Sequence, residues 1–67
     1  RMKVEDLHGG QLVSIVIPYN GLKKGLKGLV LGYHSDEEKV LVELFNLQKT
    51  QEKVPIRNLI GVIYNDE

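Results

Sequence analysis

The sequence contains no cysteine and no tryptophan. Without thiols there is no disulfide staple and no thiolate metal site, so a chain of 67 residues must be held together by its apolar core or by an oligomer interface. A domain of this size buries only ~60% of the surface that its unfolded chain exposes. The lack of cysteine also fits a reducing compartment, and a cytoplasmic location is expected. No apolar run is longer than a few residues, far short of the ~20 that a membrane-crossing helix needs. No basic-then-apolar leader stands at the start, so a soluble chain is expected. Arg1 is an unusual first residue for a product of translation, which makes Met2 the expected start.

A net charge of one sign is also missing. Nine basic residues balance nine acidic ones, which is not the composition of a strongly basic nucleic-acid binder. The charges are unevenly placed, however. Lys23, Lys24 and Lys27 crowd into one short stretch, while Asp36, Glu37 and Glu38 are consecutive. Placed on loops of one small domain, these clusters make its surface a dipole.

What the chain does have is short apolar runs punctuated by seven glycines. Residues 11–18, Gln-Leu-Val-Ser-Ile-Val-Ile-Pro, are rich in β-branched side chains and read as a first strand. Val13, Ile15 and Ile17 share one side of it and are the better core candidates. Leu12, Ser14, Val16 and Pro18 share the other. Pro18 ends the ladder for lack of an N–H, and Tyr19-Asn20-Gly21 supplies a turn in which Asn and Gly tolerate positive φ. Residues 22–27 form a basic loop. A hairpin follows: residues 29–34 and 39–45 are strands flanking Ser35-Asp36-Glu37-Glu38, a polar break of the length built around a type I turn. In the second of these strands Val40, Val42 and Leu44 alternate with Leu41, Glu43 and Phe45, so the Val-Val-Leu side faces the core. Residues 52–54 make a fourth short strand ending at Pro55, residues 56–58 a single helical turn, and residues 59–64 a closing strand. No segment keeps the i, i+3, i+4, i+7 spacing of an amphipathic helix for three turns. Several short strands in so short a chain indicate an all-β domain closed as a small barrel.

Residues 25–32, Gly-Leu-Lys-Gly-Leu-Val-Leu-Gly, with the acidic turn and Lys-Val-Leu-Val-Glu-Leu-Phe over 39–45, resemble a KOW motif. That motif marks small SH3-like barrels in ribosomal proteins and transcription elongation factors. Residues 52–63, Glu-Lys-Val-Pro-Ile-Arg-Asn-Leu-Ile-Gly-Val-Ile, resemble the strand, helical turn and final strand that close such barrels. The resemblance spans most of residues 11–64 and implies an SH3-like barrel with a nucleic-acid-associated role in transcription or translation. The expected architecture is one domain over 1–67, a barrel of five or six strands with one helical turn near Ile56. Residues 1–10 are an N-terminal strand or arm and 65–67 a tail. Gly28 and Gly32 are expected to relieve crowding at sharp bends. Peptide-binding SH3 domains share this fold but present Trp and several Tyr to polyproline helices. Here the aromatics, Tyr19, Tyr33, Phe45 and Tyr64, are scattered, so that ligand class is not expected.

Residues able to carry chemistry are few. His8 and His34 are the only imidazoles, and neither has partners at metal-ligand spacing. Asp36 two residues after His34 reads as a turn acid beside a strand-end His. Ser14 has no local base, and the glycine loop before Leu29 lacks the Gly-Lys-Ser/Thr ending of a phosphate loop. No catalysis, cofactor or metal is expected. The candidate nucleic-acid surface is Lys23, Lys24 and Lys27 with Tyr19, joined by Lys53 and Arg57 if the barrel closes, holding RNA or DNA weakly and with a steep salt dependence. The alternative is a protein interface. Both sides of the central hairpin are apolar and one small core can absorb one of them. Leu29, Leu31, Leu41 and Phe45 are left to meet a partner or a second copy, unless residues 2–7 fold over them as an extra strand.

Overall fold

The computed structural model describes residues 8–34 and 38–62. The chain is all-β. Five strands, β1 (Leu12–Ile15), β2 (Lys27–His34), β3 (Lys39–Leu44), β4 (Gln51–Pro55) and β5 (Leu59–Gly61), are joined by loops and one 3-10 turn, Ile56–Asn58, between β4 and β5. All pair antiparallel in a single sheet of order β4-β3-β2-β1-β5. β4 and β5 stand at its two edges, with no ladder joining them among the described residues. Residues 1–7 of the expected arm over 1–10, the turn residues 35–37 and the tail lie outside the described residues.

Alternation places the core. Val13, Ile15, Val30, Val40, Val42, Leu44, Val54 and Leu59 are all buried on one side of the sheet, and Leu22 from the β1–β2 loop closes over them. Each such side chain contributes roughly 1.5–3 kcal/mol on burial. The β-branched residues that dominate this list also suit the pleated backbone. Tyr19, Leu26 and Tyr33 pack at its margin.

Two side chains expected elsewhere are moved by identifiable causes. Ile17, a core candidate from alternation, is 46% exposed. β1 ends at Ile15, and the backbone N–H groups of Val16 and Ile17 turn to the Asn58 carbonyl, so the pleat that would aim Ile17 inward stops first. Tyr33, which strict alternation along residues 29–34 sets on the Leu29 and Leu31 side, instead packs against the core. A β-bulge between Val30 and Gly32 inserts Leu31 as an extra residue opposite Leu41, and the alternation reverses across it.

Glycine at position 28 is required by close approach. It sits between Val13 and Leu44 in mid-sheet. A Cβ there would lie 2.6 Å from the Glu43 carbonyl oxygen and 2.7 Å from Val42 Cγ1.

Candidate nucleic-acid interface

The long β1–β2 connection is a folded structure in its own right. Tyr19 and Leu22 exchange both backbone hydrogen bonds, at 3.1 and 2.8 Å. Between them Asn20 (φ 53°) and Gly21 (φ 84°) take left-handed conformations. That is the geometry Asn-Gly favours in a two-residue hairpin turn. A second turn follows at once. The Leu26 N–H donates to the Lys23 carbonyl at 3.2 Å, with Gly25 at φ 94° in the position that demands glycine. The Gly25 N–H donates to the Ile15 carbonyl and the Ile15 N–H to Leu26, both at 2.8 Å, fastening this turn to the end of β1.

Side chains tie the connection down at both ends. At its base, Asn58 is buried, and its Nδ2 donates to the Ile17 carbonyl at 3.0 Å while its own carbonyl receives the Val16 N–H at 2.8 Å. At its tip, Asn20 Nδ2 donates to the Glu52 carboxylate on β4. Lys39 Nζ stands 6.0 Å from the centre of the Tyr19 ring, a cation–π contact worth about 0.5–1 kcal/mol at an exposed site. Residues 18–24 line a surface depression of about 430 Å³. Lys23 and Lys24 are exposed at its rim.

The six residues expected to meet nucleic acid are therefore distributed over both sides of the sheet. Tyr19, Lys23 and Lys24 belong to the connection that folds over the core. Arg57 is exposed in the 3-10 turn beside Asn58, at the base of that connection. Lys27 follows the inward-packed Leu26 and so projects to the opposite, outer side, as does Lys53, which pairs across the ladder with Leu41. Turn formation holds Lys23 and Lys24 together, while the pleat separates Lys27 and Lys53 from Tyr19.

The outer side reads as cross-strand rows. One runs Phe45, Lys27, Ser14, Ile60: the Phe45 N–H donates to the Lys27 carbonyl at 2.8 Å, Lys27 pairs with Ser14, and Ser14 with Ile60. The next runs Gln51, Glu43, Leu29, Leu12, and a third holds Lys53, Leu41 and Gly32 with the bulged Leu31. Of the four expected interface residues, Leu29 and Leu41 are half-buried, while Leu31 and Phe45 are 44% and 51% exposed. Ile60, which sequence reasoning did not include, adds to this surface at 39%. The placing of Lys39 over Tyr19 was also missed, because contacts between a loop and a distant strand leave no mark in local pattern. Among the described residues no group of three or more His, Asp or Glu could hold a metal ion, and no helix is long and apolar enough to cross a membrane. No family model, curated protein or solved structure matches this chain.

Proposed function

We propose that this is a non-catalytic binding module that takes nucleic acid through the cations of the β1–β2 connection, Lys23 and Lys24 on its turn and Lys27 where the chain passes to the outer side of the sheet. One observation carries the reading: Lys23 and Lys24 are exposed on a turn whose backbone is fixed by hydrogen bonds to Ile15 and within itself. A fixed turn loses little conformational entropy when phosphates bind. The β4, 3-10 turn, β5 sequence supports an SH3-like arrangement, and the resemblance to KOW modules favours a transcription or translation setting; that support is by analogy of fold.

Salt dependence tests this reading. Neutralising three phosphates gives a slope of about −2 in log K against log salt for a single strand, or roughly 20-fold weaker binding from 50 to 200 mM. Replacing Lys23, Lys24 and Lys27 together by Ala is expected to weaken binding measured by fluorescence anisotropy and to flatten that slope. A slope unchanged by the triple substitution overturns the reading.

A second reading rests on the outer side, where Leu31 and Ile60 are exposed beside half-buried Leu29 and Leu41. Two copies could pack there, since Glu43 lies among Lys27 and Lys53 on the same surface and an antiparallel arrangement of copies sets opposite charges against each other. Light scattering that shows a salt-insensitive dimer, converted to monomer by Leu31→Lys, would favour it over the first.

A further inference from the structure

The cation of the basic cluster that leaves the β1–β2 connection gains a different aromatic neighbour. Lys27 and Phe45 are adjacent across the β2–β3 ladder and lie on the same outer side of the sheet. Cross-strand neighbours of this kind hold their Cβ atoms about 5 Å apart. Building on the nucleic-acid reading, we propose that the ligand is single-stranded and that Phe45 is a base-stacking residue, with Lys27 holding the adjoining phosphate.

Phe45 is 51% exposed, and it is not loosely held. Its own N–H is bonded to Lys27, and the turn that follows it is locked by Asn46. Thr50 N–H donates to Asn46 Oδ1 at 2.9 Å, Asn46 Nδ2 to Thr50 Oγ1 at 3.0 Å, and Lys49 N–H to the Asn46 carbonyl at 3.0 Å. A half-exposed ring is thus carried on a prearranged backbone, as a stacking platform requires. The same turn displays Leu47, 98% exposed, and Lys49 in a left-handed conformation (φ 52°). Beyond the ring, then, lie a second apolar group and a second cation. The row that contains Phe45 holds Lys27, Ser14 and Ile60 and no carboxylate, and the carboxylate on the same side of β3, Glu43, stands one row away. In a duplex the base faces are already stacked on one another. Only an unpaired strand offers a face to an aromatic ring standing on a sheet.

The test compares labelled oligothymidylate with a mixed-sequence duplex at low salt, using the full chain and its Phe45→Ala and Phe45→Tyr variants. Thermal unfolding confirms that each variant is folded. Phe45→Ala is expected to weaken single-strand binding by about 5- to 150-fold, the range for loss of one stacked base, while leaving the salt slope unaltered because no charge is removed. Phe45→Tyr is expected to bind like the parent. Equal binding by Phe45→Ala and parent, or a parent preference for duplex, overturns this inference and leaves the basic surface standing. Failure of the parent to bind either nucleic acid overturns both.

Discussion

Along β3, Val40, Val42 and Leu44 are buried almost completely, whereas Leu41 and Glu43, on the other side of the same strand, are partly open to solvent. β5 repeats the contrast in two adjacent residues, Leu59 buried and Ile60 39% exposed. One side of the sheet is thus a packed interior sealed by Leu22, and the other is an apolar surface interrupted by charge. The difference teaches that hydrophobicity alone does not define the core of so small a domain. Which apolar residues are buried depends on which side the β1–β2 connection folds across.

The sharpest way to break that comparison is the pair Leu59→Ala and Ile60→Ala. Truncating the buried leucine leaves a cavity and is expected to cost about 2–5 kcal/mol. For a domain of this length each 1 kcal/mol lowers the midpoint of thermal unfolding by about 4–8 °C, so a fall of more than ~10 °C is expected by circular dichroism. The isoleucine next to it should change stability by less than about 1 kcal/mol, as surface positions do. Equal losses at the two sites would mean that the outer side is packed as tightly as the inner one.

Smaller in effect is Gly28→Ala. The added methyl group meets a backbone carbonyl and a core valine at under 3 Å, and the carbonyl cannot move without disturbing the β2–β3 ladder. Overpacking of this kind costs typically about 1–3 kcal/mol. A urea midpoint lowered with no change in m-value would show that the inner layers meet here without spare room; an unchanged midpoint would show that they do not.

These two sides were unequally legible in the sequence. Strand alternation in residues 39–44 and 12–15 named five inner residues correctly, because a regular strand maps sequence parity directly onto sides of a sheet. The 3-10 turn at Ile56 and the Asn-Gly turn were readable for a similarly local reason, since Pro55 fixes its own φ and Gly21 accepts the positive φ that the turn needs. The outer side was read less well, and the bulge is why. An unbulged hairpin continuing from the His34 and Lys39 pair would set Gly28 opposite Phe45; inserting Leu31 sets Lys27 there instead. Nothing in Leu-Val-Leu-Gly marks the insertion. The same slip carries Tyr33 inward and creates the Phe45 and Lys27 neighbourhood on which single-strand binding is proposed. The turn backbone that presents Lys23 and Lys24 was likewise foreseeable only as a basic loop, because its hydrogen bonds reach back to Ile15 and its base to Asn58.

The smallest expected effect belongs to the bulge itself. Both Gly28 and Gly32 suggested crowded bends, yet a Cβ at Gly32 would meet nothing within 4 Å. Its φ also lies outside the left-handed region. With neither steric nor conformational need for glycine, Gly32→Ala should restrict the unfolded chain and leave the folded one alone, a gain of up to about 1 kcal/mol. Thermal unfolding would then place the variant level with the parent or a few degrees above it, opposite in sign to Gly28→Ala four residues away. A loss instead would mean that the reversal of alternation between Val30 and Gly32 depends on the absence of a side chain. The register that puts Phe45 beside Lys27 would then rest on Gly32 as well as on Leu31.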